Sequence, residues 1–183
     1  MIATKACNRM SKIIRHMLDL SRDSRAEEKL NMSLNAVISG ALYFYEEKFR
    51  HKGITVILDL DPQLPKTNLY PTKMETVILN LLSNSFDSLT EIFAIESKKK
   101  EIHIKTYVKN SFIYFQLIST GGGISPDVIK NIFVPFFTTK VVGKGTGLGL
   151  SITHEFIQLH KGQIEITSQL NESTTVLFWL PIE

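Results

Sequence analysis

Disulfides are excluded at the outset. The 183-residue chain carries one cysteine, Cys7, so neither an intramolecular disulfide nor a cysteine-based zinc site can form, and a reducing, cytoplasmic setting is expected. Long apolar runs are missing too. No uninterrupted stretch reaches the roughly twenty residues that a bilayer-spanning helix needs. The N-terminus lacks the apolar centre of a signal peptide, so any membrane anchor is expected outside this chain. Nor is there an excess of one charge. Twenty-one Lys and Arg against 18 Asp and Glu leave a formal charge of +3, without the concentrated basic face that nucleic-acid binding requires. No nucleic-acid partner is expected. Lys98, Lys99 and Lys100 form the one basic run, readable as a solvated loop or as a docking patch. Internal repeats and low-complexity segments are absent.

What remains is the composition of an ordinary globular protein, 43% hydrophobic and 21% charged. Met10, Ile13, Ile14, Met17 and Leu18 recur at helical spacing, with Arg9, Lys12, Arg15 and Asp19 between them. A lone apolar stripe of this length needs a partner: another helix of this chain, a further helix, or a second copy. The pattern fades through residues 21–29. A second helix is expected over residues 34–51, stopped by Gly53. Residues 54–60 read as a strand broken by Asp61-Pro62. Tyr70-Pro71-Thr72 opens a further helix, buried through Val77, Ile78, Leu81 and Leu82. Strands follow at 101–108 and 112–119, joined by an Asn110-Ser111 hairpin turn. Glycine-rich sequence fills 121–149. A helix at 150–160 ends at Gly162, and strands at 163–168 and 174–180 close the chain. Neighbouring strands mixed with helices predict a two-layer α+β sandwich rather than a doubly wound parallel sheet. The long glycine-rich connection reads as a functional lid.

Four motifs carry chemistry. Asn80, Asn84 and Asp87 fall one turn apart on a helix face. Buried polar groups must find partners, and a hydrated magnesium ion with phosphate oxygens suits these; ordinary helix surface and internal capping is the alternative. Ser119-Thr120-Gly121-Gly122-Gly123-Ile124 follows a strand, and its glycines permit positive φ and close approach to a planar ligand, or form a loose turn. Phe133-Val134-Pro135-Phe136-Phe137-Thr138-Thr139-Lys140 either anchors a lid while Lys140 reaches a phosphate, or makes a small satellite core. Gly143-Lys144-Gly145-Thr146-Gly147-Leu148-Gly149 leads straight into a helix, which suits an anion cradle of backbone N–H groups. It is neither a Walker A loop nor a dinucleotide fingerprint.

In this order and spacing, the four segments resemble the N, G1, F and G2 boxes of sensor histidine kinases, within the superfamily of gyrase, Hsp90 and MutL ATPases. The resemblance runs from about residue 30 to the C-terminus. It implies the family's two-layer α/β sandwich of Bergerat type, residues 29–183, binding ATP and Mg2+ beneath a mobile lid between Phe137 and Gly145. It makes Asn84 the magnesium ligand, with Asn80 and Asp87 beside it. It gives the phosphates to Lys140 and the loop of Gly145, Thr146, Gly147, Leu148 and Gly149. The remaining nucleotide contacts fall to Ser119, Gly121, Gly123, Ile124 and Phe133. ATP-hydrolysing relatives place a water-orienting glutamate one turn before the magnesium asparagine. Asn80 stands there, which implies a phosphoryl donor rather than a hydrolase. Residues 1–28 resemble the second helix of the dimerisation and phosphoacceptor hairpin, implying a homodimer. None of the five histidines matches the phosphorylated one; His154-Glu155 is nearest but lacks the following proline. A histidine-bearing hairpin and a response regulator are the implied partners.

One position departs from the pattern. The G1 box normally opens with an aspartate that accepts a hydrogen bond from the adenine amino group; here it opens with Ser119. Exchanging a charged acceptor for a hydroxyl costs roughly 1.5–3 kcal/mol, about tenfold to a hundredfold in affinity. Two readings follow: an active kinase domain with a water-mediated base contact, or a degenerate domain serving as a regulatory or partner-binding module.

Overall fold

The computed structural model describes residues 27–91, 99–141 and 145–183. The apolar stripe of residues 10–18 and the dimer expected from it lie outside the described residues, as do Cys7, His16, Lys98 and residues 142–144 of the expected lid. The described chain runs β1 (Leu30–Met32), α1 (Leu34–His51), β2 (Thr55–Leu60), β3 (Thr67–Leu69), α2 (Pro71–Glu91), β4 (Glu101–Lys109), β5 (Phe112–Thr120), α3 (Pro126–Ile129), α4 (Gly149–Leu159), β6 (Gln163–Gln169) and β7 (Ser173–Pro181).

Strand alternation decides which way the sheet faces. Ile102, Ile104 and Thr106 of β4, Ile113, Phe115, Leu117 and Ser119 of β5, and Val176, Phe178 and Leu180 of β7 are all buried. Their neighbours in sequence are half-buried or exposed on the far face. The five strands are ordered β2-β4-β5-β7-β6, with β2 parallel to β4 and every other pair antiparallel. Helix α2 packs between α1 and α4, and its buried Val77, Ile78, Leu81 and Leu82 join the sheet residues in one core. This is the two-layer α+β sandwich that the sequence predicts. The parallel β2–β4 pair is an addition to the antiparallel reading. Phe115 stacks on Phe178 with centroids 4.6 Å apart, and truncating a ring so buried costs about 3–5 kcal/mol. On the far face a second stack runs from Tyr107 through Tyr114 to Trp179, at 4.9 and 5.7 Å.

The turns follow their residues. Asn110 and Ser111 have φ of 50° and 63°, the left-handed pair that a two-residue hairpin requires. Helix α1 ends at a left-handed Gly53, with its N–H on the Arg50 carbonyl (3.1 Å) and that of Ile54 on Phe49 (2.9 Å), the reciprocal pair of a Schellman cap. Helix α4 closes in the same way, but one residue earlier than expected. Lys161, not Gly162, takes the left-handed position (φ 59°). Gly162 is a glycine for another reason: a Cβ there would lie 2.3 Å from the Trp179 carbonyl oxygen.

Two ties hold α4 against α2. His160, 2% exposed, accepts the Tyr70 N–H at Nε2 (2.9 Å) and donates from Nδ1 to the Phe156 carbonyl (2.6 Å). Both ring nitrogens are satisfied only in the neutral form. Burial holds the imidazole below its ordinary value despite the Phe156 hydrogen bond, which pulls the other way. Asn80 makes the second tie, at the opposite end of α4. Outside the helical layer, Glu27 accepts the Thr72 N–H (2.7 Å) and pairs with Lys73 (2.8 Å) at the start of α2. Its burial raises the carboxyl pKa, but these hydrogen bonds outweigh that and hold it below the usual range.

Candidate nucleotide site

Helix α2 turns Leu81, Leu82 and Leu89 into the core, which leaves Asn80, Asn84 and Asp87 on a shared polar face. These side chains find partners from distant segments. Asn80 donates from Nδ2 to the Gly149 carbonyl (3.0 Å), with Thr153 Oγ1 at 3.5 Å, and so fixes the first turn of α4. The Lys140 ammonium donates to Asp87 Oδ2 (2.5 Å) and Asn84 Oδ1 (3.3 Å). Lys140 thus supplies the positive charge that this oxygen-rich face demands.

The glycine loop lies above that face. Gly147 has φ of +69°, and a Cβ there would sit 2.4 Å from the carbonyl carbon of Phe136. Phe136 is itself left-handed, at φ 66°. The two strained residues therefore lock the aromatic segment onto the loop. At Gly145 a Cβ would meet Thr138 Oγ1 at 2.6 Å. Leu148, the residue before α4, makes no side-chain cap. A helix start without a side-chain acceptor leaves N–H groups available to an anion.

Together these segments enclose a cavity of about 650 Å³, within the range of small-molecule sites. Of the residues the sequence singles out, Asn80, Asn84, Asp87, Ser119, Gly123, Ile124, Lys140, Gly145, Thr146, Gly147 and Gly149 line it. Three lie outside the lining. Gly121 is held in the strand-end turn by its N–H on the Glu172 carbonyl. Phe133 packs on the His154 ring, centroids 4.9 Å apart. Leu148 is 2% exposed and belongs to the core. Residues without a local signal complete the wall: Tyr45 from α1, Ile166 from β6, and Thr174 and Val176 from β7. Ser85 and Ser88 also line it, the first inside the Asn80–Asp87 helical pattern and the second one residue beyond its end.

The end of the cavity away from the start of α4, where Gly121 meets Ser88 about two turns along α2 from the Asn80–Gly149 contact, is built differently. Ser119 is 5% exposed on the inner face of β5, and its hydroxyl has no hydrogen-bond partner among the described residues. It lies opposite Thr174 in the ladder. Thr174 Oγ1 shares a hydrogen bond with Ser168 Oγ (2.9 Å), which accepts the Ile124 N–H (2.8 Å) and seats Ile124 at this end. Gly123, at φ +66°, must be glycine here, since a Cβ would lie 2.3 Å from the Gln169 carbonyl oxygen.

This fold and cavity have known counterparts. Residues 70–183 match the family of histidine kinase-, DNA gyrase B- and HSP90-like ATPases, and the chain belongs to it. Its relatives narrow the class. It is 26% identical over 183 residues to the sensor histidine kinase ZraS of Escherichia coli K12, covering 99% of this chain and 37% of ZraS. It is 32% identical over 174 residues to the two-component sensor PprA of Pseudomonas aeruginosa, covering 95% of this chain and 19% of PprA. The catalytic domain of histidine kinase ThkA superposes with a TM-score of 0.73 at 28% identity, covering 84% of this chain and 95% of that one. ThkA in complex with the response regulator protein TrrA shares the fold at a TM-score of 0.78 and 24% identity, covering 100% of this chain and 50% of that one. The chain corresponds to the catalytic ATP-binding domain of two-component sensor histidine kinases, and spans 37% and 19% of the length of ZraS and PprA. Among the described residues, no helix is long and apolar enough to cross a membrane.

Proposed function

We propose that this domain binds Mg-ATP in the cavity and donates the γ-phosphoryl group to a histidine on a phosphoacceptor hairpin, from which a response regulator takes it. The observation that carries the reading is the meeting of Asn84, Asp87 and Lys140 with the glycine loop around one cavity. The donor set fits a magnesium ion: Asn80 Oδ1, Asn84 Oδ1 and the Asp87 carboxylate are hard oxygen atoms on one helix face. Asn84 is the proposed ligand, with Asn80 and Asp87 beside it. Bound there, the ion neutralises phosphate charge. Lys140 and the amides from Gly145 to Gly149, with Thr146, are assigned to the phosphates. Ser119, Gly123 and Ile124 are assigned to the base.

Asn80 has no basic oxygen with which to activate water, and its amide is committed to Gly149. That favours transfer to an acceptor over hydrolysis. Transfer of this kind works by positioning and charge neutralisation. Among the described histidines, His160 is buried with both nitrogens bonded, His154 packs on Phe133, and His51 and His103 lie against Glu47 and Glu101 and do not line the cavity, which supports an acceptor elsewhere. ThkA crystallised with a response regulator protein, and a partner of that class is proposed here. Residues 1–28 are proposed as part of the dimerisation hairpin.

Calorimetry with Mg-ATP tests the reading, followed by phosphotransfer to a separately supplied histidine-bearing hairpin. Saturable heat and a phosphorylated hairpin are expected. No heat at millimolar nucleotide would favour the regulatory-module alternative, for which the missing carboxylate at Ser119 speaks. Steady-state hydrolysis without transfer would instead mark an ATPase clamp.

A further inference from the structure

The two ends of the cavity offer a ligand different chemistry. Lys140, the glycine loop and the uncapped start of α4 supply positive charge and N–H groups at one end. A nucleotide's phosphates belong there, which sends its base to the other end. That end has apolar faces from Ile124, Ile166 and Val176. Its polar atoms are hydroxyls: Ser119 at the centre, Thr174 opposite it in the ladder, and Ser88, whose Oγ lies 3.2 Å from a Cβ placed on Gly121. Among the described residues of the lining the only carboxylate is Asp87, and Lys140 neutralises it. Beyond that ion pair, the edge of the base meets neutral groups.

Ser119 is the decisive one. Its side chain is buried, faces the cavity and has no partner among the described residues. Buried hydroxyls are rarely left so, and a ligand edge would satisfy it. A carboxylate only accepts hydrogen bonds; it welcomes an exocyclic amino group and repels an oxo group. A hydroxyl donates and accepts by rotating one bond. We propose that Ser119 is a specificity-determining residue that opens the base end to 6-oxopurine as well as 6-aminopurine nucleoside triphosphates. The proposal rests on the nucleotide reading above and deepens it.

Inosine triphosphate is the probe of choice, because it replaces the 6-amino group by oxygen without adding the 2-amino group of guanine. Mg-ATP and Mg-ITP are titrated into the full chain by calorimetry. Their dissociation constants are expected to agree within about tenfold, the span of one neutral hydrogen bond. Ser119→Asp is expected to shift the ratio towards ATP by about ten- to a hundredfold, the span of a charged acceptor. Ser119→Ala, which keeps the volume small and the fold intact by circular dichroism, is expected to weaken both ligands severalfold with the ratio unchanged. Wild-type preference for ATP beyond a hundredfold would overturn the proposal while leaving the nucleotide reading in place. So would a Ser119→Ala protein that binds both ligands as well as the wild type does. Failure of both nucleotides to bind would remove the nucleotide reading itself, and this inference with it.

Discussion

The two ends of helix α4 meet opposite demands. At its C-terminus the helix is capped: Lys161 and Gly162 complete a Schellman cap, and His160 satisfies Tyr70 and Phe156 with its two nitrogens. At its N-terminus no side chain caps the helix, and the glycine loop opens onto a cavity. Both ends are tied to α2, through Tyr70 at the closed end and Asn80 at the open one. The two anchors are ten residues apart in sequence, or about 15 Å along a helix. A helix gripped this firmly at one end can leave its other end unsatisfied without fraying. The open amides are then a standing invitation to an anion, held rigid by hydrogen bonds far from the ligand.

The largest expected effect breaks the open end. Gly147→Ala places a Cβ against the Phe136 backbone in a left-handed conformation that costs a side-chain residue roughly 1–2 kcal/mol even without the clash. Nucleotide affinity is expected to fall about a hundredfold or more, read by calorimetry. His160→Ala attacks the closed end. It strands the Tyr70 N–H and takes the imidazole hydrogen bond from the Phe156 carbonyl, which keeps the residue-160 backbone N–H, with an expected loss of about 1–3 kcal/mol in denaturant unfolding. Nucleotide affinity of the folded protein is expected to stay within about twofold; a collapse of affinity at unchanged stability would refute this division of labour.

Acid sharpens the same contrast. His160 titrates below its ordinary 6.5 in the folded protein, so the unfolded chain takes up that proton more readily. Its contribution to stability is complete above about pH 6.5 and is lost as pH falls through that value towards the lower native one. Melting temperature is expected to decline over that window, and His160→Gln is expected to flatten that part of the decline. The smallest effect is at Asn80. Asn80→Ala removes the hydrogen bond to Gly149, worth about 0.5–1.5 kcal/mol, and should lower stability and nucleotide affinity together.

Much of this was legible in the sequence because it is written in contiguous stretches. Helices α1, α2 and α4 follow their apolar periodicity, β4 and β5 their alternation, and the Asn110-Ser111 turn its residue types. The strands β1 and β3, three residues each, are too short for alternation to register. The cavity divides in the same way. Asn84, Lys140 and the glycine loop sit in short motifs whose chemistry can be read in place. Tyr45, Ile166, Thr174 and Val176 reach the wall only through helix packing and strand register, which no local pattern encodes. His160 carries no motif either. Its importance arises from a contact 90 residues away in sequence, with Tyr70.

The aromatic stack on the outer face has a practical consequence. Trp179 is the only tryptophan in the chain, and it leans on Tyr114 across the sheet from the cavity. Its emission is expected to report whether the sheet is assembled, since the sheet lies between it and the cavity. The domain therefore carries its own optical gauge of folding, one that can be followed during a nucleotide titration without confusing a filled site with a melted one.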